Sequence, residues 1–562
     1  MLADALQYLQ EMSFRMELVG DTFRCNAYTN ALISLTNAGT MEGWEQFPGI
    51  GKSIRAEITQ VLAGTVPDRL VPLRAGGPPA SLMELLRVRG VGVRRALLLH
   101  SQGISSMADL ERAIKTHTLA DTGLVQAYYS MRVVTERVRL DHAQSVLEPI
   151  LAGLETVPGV VSAIGTGSYR RGRPDVRDLD AVIVVDNMKA IGNACGFLST
   201  KCGYVVDKSN DVLGRPTVAR IQVMLPSQFT RPVTLNFCSR REAGCALAYF
   251  TGSKAYNQTW RALAKTKGLE FERFHAVSKR QLVHFDTEQA LFDAIGVPLL
   301  SPELRDRGLD VQAPAPTCVT RQEILGDMHM HTKFSDGAAS VADMYARAVQ
   351  LGYTFIGISD HAGGVGTHVA QDAVAAYAVK VHEARNASCH IFAGLEVDVR
   401  KDRSLVCSDA TGLNYVFISC HADPEHDTLG RYQAALMALR QRHPKLALAV
   451  AHPSTRIIGA RAEAQMDWTA FYEMCGTLNA AVEINGQPSR VDPDDGYISL
   501  GQSMGCKFIL SSDAHSPQQL EPNMEVAVRQ ARRALLRRED VLNTTTTRMR
   551  HWLSGQDLRR LR

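Results

Sequence analysis

The back half of the chain repeats one unit, an apolar, β-rich run that ends in a polar or ionisable residue and is followed by a helix-length segment. The runs end near His331, Asp360, Glu396, His421, His452, Glu483 and Asp513. Continuous apolar runs read as strands buried on both faces, the state of parallel strands covered by helices. Seven such units in succession constrain the fold strongly: they call for a parallel sheet curled into a closed or nearly closed barrel, one strand short of the common eight. Strand ends converge at one face of such a barrel, so residues distant in sequence meet there. The residues placed there are His329 and His331 (DMHMHT), Asp336 (SDG), His361 (SDH), Glu396 (GLE), His421 (SCH), His452 (AHP), and Asp513 with His515 (SSDAH). A lone histidine is ordinarily a hydrogen-bonded core residue, but six of the 17 histidines stand just past strand ends here, together with three carboxylates. Nine imidazole and carboxylate donors exceed what one catalytic ion takes, so two or three ions, Mn²⁺ or Zn²⁺, are expected. Clustered divalent ions activate water and clamp phosphoryl oxygens, which points to phosphoester hydrolysis.

At 562 residues the chain is long enough for several domains. The stretch Val311 to Thr317 (VQAPAPT) reads as a linker over 311–318, because alternating prolines favour extended backbone. Residues 1–145 read as all-α, with Leu6, Leu9, Met12 and Phe14 to Met16 at near-helical spacing, and residues 146–310 as α+β, with strands at Ala181 to Val185 and Thr217 to Met224. Residues 319–562 form the (β/α)7-type barrel. No apolar stretch reaches the roughly 18 residues of a membrane span. The Met1-Leu2-Ala3-Asp4 start lacks the plan of a signal peptide, and the 11 cysteines include no Cys-x-x-Cys pair. A soluble, cytoplasmic protein without membrane partners is expected. Net charge is only +4, yet residues 51–100 carry eight Lys/Arg against three Asp/Glu, a local surface that suits a polyanion.

In that basic stretch, Gly49 and Gly51 of FPGIGK and, about forty residues later, Gly90 and Gly92 of VRGVGV each precede a helical segment. Glycines at i and i+2 let a tight turn offer backbone N–H groups to a phosphate at a helix start. One such pair is an ordinary helix connection; two copies followed by Lys52, Arg55, Arg94 and Arg95 resemble paired helix-hairpin-helix motifs, which grip DNA backbone and ignore bases.

Further on, GSYRRG at 167–172 is followed by Asp178-Leu179-Asp180 and an apolar strand. On a strand, residues i and i+2 share a face, so Asp178 and Asp180 can share metal ions, as two-metal phosphoryl transfer requires. Gly167 and Ser168 offer a small turn and a hydroxyl to phosphates, and Arg171 a bidentate fork. With Tyr249-Phe250-Thr251-Gly252-Ser253 and Asn257 downstream, the arrangement resembles the palm of family X DNA polymerases. Thr287 to Gly308 resembles the end of their thumb, and the back-half barrel resembles the PHP (polymerase and histidinol phosphatase) domain with all nine metal-binding positions occupied.

The resemblance implies that Ser168 and Arg171 hold a dNTP triphosphate, that Gly252, Ser253 and Asn257 line the nucleotide pocket, and that Asp178 and Asp180 hold Mg²⁺ or Mn²⁺. It also implies a barrel acting as a 3′–5′ exonuclease and abasic-site endonuclease on gapped, nicked or primer-template DNA. Two positions depart from the family pattern. Thr234, on Pro232 to Phe237, stands where a third metal-binding Asp belongs, so polymerisation is expected to be impaired. Glu57 stands where some members carry a Schiff-base lysine, and a carboxylate forms no imine. A repair polymerase with a PHP nuclease is the reading; a damaged-DNA-binding protein with a structural metal cluster and a small-molecule phosphatase are the alternatives. Arg490, in EINGQPSRVD, is either a phosphate holder or half of a surface ion pair.

Overall fold

The computed structural model describes residues 2–38, 40–41, 43–88, 91–115, 119, 124, 137–204, 206–210, 216–224, 230–363, 368–384, 388–421, 423 and 426–561. The chain divides into two compact units, Met1–Glu136 and Arg137–Arg562.

The first unit is helical. Helices Leu2–Leu18, Thr22–Ala38 and Lys52–Leu62 bury Leu9, Met12, Tyr28, Leu35, Ile54 and Ile58 in one core, while Leu82, Leu85, Val93, Leu99 and Leu110 close a second core around Val93–Ser101 and Met107–Lys115. Gly49 is needed for its backbone: its φ is +84°, and a β-carbon there would sit 3.3 Å from the backbone of Asn30.

In the second unit a five-stranded sheet runs Val160–Gly165, Leu179–Val185, Thr230–Ser239, Pro216–Met224, Asp207–Asn210 in spatial order. Its second and third strands pair in parallel and the rest antiparallel. Helices Leu140–Glu155 and Met188–Thr200 supply Leu147, Leu151, Ile191 and Leu198 to the core of this sheet. Helices Ala243–Thr251, Lys254–Thr266 and Glu288–Ile295 follow, with a small three-stranded sheet, around Trp260, Phe271, Leu291 and Phe292.

The repeating back half forms the expected barrel. Parallel strands Gly326–Asp327, Phe355–Ile358, His390–Asp398, Tyr415–Ser419, Ala447–Val450, Ala480–Asn485 and Phe508–Ser511 follow one another around it, with the short His361–Ala362 extending the second position. A bridge between Met330 and Ala514 brings the first and last strands together, so the sheet is nearly closed. Seven positions leave a narrow interior, in which small residues, Ala447, Ala449, Ala451 and Ala481, make room for large ones, Phe355, Tyr415 and Phe417. Gly357 and Gly394 leave space for the Tyr415 ring, since a β-carbon on either would come within 2.3 Å of Tyr415. Met549 and Trp552 seal the end opposite the strand termini, where the Trp552 indole donates to the Leu448 carbonyl at 3.1 Å. Among the described residues no helix is long and apolar enough to cross a membrane, and the eleven cysteines are free thiols.

Candidate functional site

The barrel rim gathers all nine predicted donors. One nitrogen or oxygen from each of His331, Asp336, His361 and His515 lies within 4.8 Å of the others, and the same holds for His329, His331 and Asp513 and for Glu396, His421 and His452. His331 belongs to two groups. Glu396 reaches across them, with Oε2 3.1 Å from His361 Nδ1 and 3.3 Å from His329 Nε2, and Oε1 2.8 Å from His452 Nε2. Strand geometry explains the gathering, because the ligands lie on or just beyond strand ends and Glu396 lies within the long strand His390–Asp398. Two ligands take left-handed backbone, Asp513 at φ 51° and His452 at φ 27°, a strain characteristic of sites where side-chain direction matters more than local stability.

The donors fit divalent cations. His329 Nε2 and His331 Nε2 face each other at 3.1 Å beside the Asp513 and Glu396 oxygens, and the buried Nδ1 atoms of His331 and His452 have no hydrogen-bond partner among the described residues. The electrostatics agree. Burial opposes charge on His329, yet Glu483, Asp513 and Glu396 hold it well above the ordinary imidazole range. Burial likewise disfavours the Glu396 and Asp513 carboxylates, and the surrounding imidazoles overcome it and hold both well below the usual range.

An outer ring orients these ligands and is less visible in sequence. Glu483, two residues before the end of the strand Ala480–Asn485, binds His329 Nδ1 at 2.6 Å and accepts the His452 backbone N–H at 2.6 Å, fixing both. Asp398 accepts the His421 backbone N–H at 2.9 Å, and Asn485 donates to Asp513 at 3.0 Å. Asp360 accepts from Thr332 and Ser335 and so holds the loop that carries Asp336.

In the sheet of the same unit, Gly167, Ser168, Arg171, Asp178 and Asp180 line one cavity of about 540 Å³, with Arg137, Arg173, Arg177 and Asp306. The strand begins at Leu179, so Asp178 stands just before it, exposed and paired with Arg177 at 3.2 Å. Asp180 and Thr234 are direct register partners on parallel strands, which sets their side chains on the same face of the sheet. Gly252 approaches Arg171, but Ser253 and Asn257 do not line the cavity. The Ser253 hydroxyl caps the helix Lys254–Thr266 and donates to the Arg305 carbonyl at 2.9 Å, and the Asn257 amide joins the Tyr249 carbonyl to the Trp260 indole.

Arg171 is itself held. It pairs with Asp306 at 3.0 Å; Asp306 also takes Arg533, at 3.4 Å, from the barrel helix Leu520–Arg533. Arg533 pairs in turn with Asp495 at 3.3 Å, and Asp495 with Arg307 at 3.0 Å. A line of alternating charge thus runs from the cavity into the barrel.

In the first unit, Gly51 and Gly92 are the N-caps of Lys52–Leu62 and Val93–Ser101, with no side chain capping either helix, and Lys52 and Arg94 are exposed beside them. Gly90 lies outside the described residues. Glu57 is buried, accepts from the Tyr28 hydroxyl at 2.8 Å and pairs with Arg69 at 3.0 Å.

Comparison with known proteins agrees with this architecture. The DNA polymerase beta thumb matches residues 246–306, which includes the Tyr249 to Asn257 motif, and the PHP domain matches 327–486. A segment matching the polymerase beta thumb is therefore followed here by a PHP domain. In this arrangement the chain is similar to the family X DNA polymerases that carry a C-terminal PHP domain. Over 96% of its length it is 26% identical to the DNA polymerase/3'-5' exonuclease PolX of Bacillus subtilis (strain 168), 97% of which is covered. DNA polymerase lambda of Rattus norvegicus is 23% identical over 322 residues, which span 53% of this chain and 55% of that protein. DNA polymerase lambda of Arabidopsis thaliana is 24% identical over 298 residues, 48% of this chain and 55% of that protein.

Proposed function

We propose that this chain is a cytoplasmic DNA-repair enzyme whose barrel rim hydrolyses phosphodiester bonds at DNA 3′ ends and at abasic sites. Its palm binds primer ends and deoxynucleotides but transfers them poorly. The observation that carries the nuclease reading is the rim itself: nine donors in three groups, two of which share His331, with Glu396 reaching from the third to the others. A structural ion is closed by about four protein ligands, and this rim offers more than twice that number around an accessible face. His331, Asp336, His361 and His515 would hold one Mn²⁺ or Zn²⁺, His329, His331 and Asp513 a second, and Glu396, His421 and His452 a third. When bound, such ions supply a nucleophilic water at neutral pH and stabilise charge on the phosphoryl oxygens. The protein's own part is to hold the ligands rigidly: Glu483 fixes the His329 tautomer, Asp398 orients His421, and the partly exposed Asp336, His361, His421 and His515 leave the rim open to a strand end.

Domain roles follow from this reading. Residues 1–145 clamp DNA backbone through the two hairpins, residues 146–310 form the palm and thumb, 311–318 link them to the barrel, and 319–562 are the phosphodiesterase. In the palm, Asp178 and Asp180 would hold Mg²⁺ or Mn²⁺, with Ser168 and Arg171 toward the triphosphate. Gly252 serves by shaping the Arg171 side of the pocket, whereas Ser253 and Asn257 act through helix placement. Release of nucleotides from a labelled primer, compared with release of phosphate from small esters at the same Mn²⁺ concentration, tests the proposal. Phosphate release from small esters without attack on DNA would replace it with a small-molecule phosphatase.

A further inference from the structure

Beside the rim stands a cation that the ligand set does not use. Arg490 is 8% exposed, and its guanidinium faces the centre, with Nε 3.8 Å from Asp513 Oδ2. That separation is too long for a hydrogen bond, and the Asp513 carboxylate is already engaged by Asn485 at 3.0 Å and His331 at 3.1 Å. Nε and Nη1 of Arg490 are both buried and meet no acceptor among the described residues. A buried donor left without an acceptor is costly, and this guanidinium carries two of them, on different edges, so it stands ready to take the oxygens of an anion at the rim.

The surroundings hold this guanidinium in place. Arg456 donates to the Arg490 carbonyl at 2.8 Å and also to that of Val491; Asp492 takes the Ser454 N–H and hydroxyl at 2.9 and 2.6 Å. Between these ties Val491, a β-branched residue, sits at φ 48°, a strained conformation that keeps the Arg490 side chain turned inward. Arg461 adds a second guanidinium: it donates to the Thr455 and His421 carbonyls, leaves Nη2 buried without a partner among the described residues, and is near enough to Arg490 for the two charges to oppose each other. Two like charges beside a ligand carboxylate are most stable with an anion between them.

We propose that Arg490, backed by Arg461, is the phosphate clamp of the rim, holding a non-bridging oxygen of the phosphodiester, and then of the released nucleoside 5′-monophosphate, next to Asp513. This deepens the nuclease reading and rests on it. The full-length Mn²⁺-loaded chain is compared with Arg490→Gln, Arg490→Lys and Arg461→Gln by three readouts: bound metal per chain, calorimetric affinity for thymidine 5′-monophosphate and for thymidine, and kcat and KM on a single-stranded oligonucleotide. Arg490→Gln should keep its metal and lose about ten- to hundred-fold in monophosphate affinity, the worth of one charge-assisted pair of hydrogen bonds. Arg490→Lys should recover only part, since an ammonium cannot fork, and Arg461→Gln should show the smaller loss. Thymidine, which lacks the phosphate, should not discriminate among the proteins. Monophosphate affinity within twofold of the parent in Arg490→Gln overturns the clamp. So does loss of metal together with affinity, because Arg490 would then merely support Asp513. If the parent binds monophosphate through Arg490 yet leaves DNA intact, the clamp stands and the nuclease reading falls.

Discussion

Replacing Thr234 by Asp is the most direct probe of the palm. Thr234 and Asp180 are register partners on adjacent parallel strands and both are half-buried. Side chains so placed are about 5 Å apart. Without a divalent ion the new carboxylate would meet Asp180 across that gap, a repulsion of about 1 kcal/mol in a water-like surrounding and about 3 kcal/mol at an effective dielectric of about 20. A divalent ion reverses the sign, since three carboxylates then share two positive charges or more. Thr234→Asp should therefore melt below the parent in EDTA and recover, or exceed it, in Mn²⁺, while the parent responds weakly. In a background carrying His331→Ala to silence degradation, gap-filling should rise by about a hundredfold, comparable to restoring one electrostatic contact to a transition state. The assay is single-turnover extension of a gapped duplex by one nucleotide. Extension by the unmodified chain as fast as by Thr234→Asp would refute the argument, because another acidic group would then be supplying the third ligand.

Other expectations follow from the same geometry. His331→Ala with Asp513→Ala should abolish Mn²⁺-dependent degradation in a labelled-primer assay while leaving DNA affinity within a few-fold. Neutralising Lys52, Arg94 and Arg95 should weaken binding to unrelated duplexes alike and flatten the salt dependence by up to about 0.9 per lost phosphate contact, read from binding isotherms across salt. Glu483→Gln should keep the fold and lower metal affinity by about ten- to hundred-fold in chelator competition, since it weakens the hold on His329. Glu288 gives a pH test: burial raises its pKa, but Arg305 and Arg170, both at 2.7 Å, more than offset this and hold it below the usual glutamate value. Its contribution is thus present above the unfolded pKa and lost as pH falls through the folded one; Glu288→Gln should cost about 3 kcal/mol at neutral pH, and the difference from the parent should shrink on acidification in denaturant titrations.

The rim donors were legible because they close apolar runs or follow them closely, and a barrel turns that one-dimensional signal into a ring. Glu483 closes a run in the same way, yet it serves the ring from behind. Its role depends on which neighbour its carboxylate meets, and that neighbour, His329, lies 154 residues earlier. Thr234 was read on a strand near the Asp178–Asp180 strand, and the structure places it in register with Asp180, a pairing that the sequence did not specify. Motif matching was less informative for Ser253 and Asn257, whose polar groups are taken up in capping and packing. Arg490 was ambiguous for a different reason: an arginine two residues from an aspartate reads equally as a surface pair, and only burial separates the cases.

The charge chain from Arg171 through Asp306 and Arg533 to Asp495 bears on how the two chemistries can be studied apart. Cutting the chain after the thumb would strip Asp306 of its barrel arginine and leave it to Arg171 alone, tightening the grip on the side chain that faces the nucleotide cavity. A palm severed from its barrel would therefore be an altered palm, with its cavity-lining arginine more firmly neutralised than in the intact chain. The nuclease would be silenced without that side effect by point changes at the rim, and excision of the domain is the poorer control.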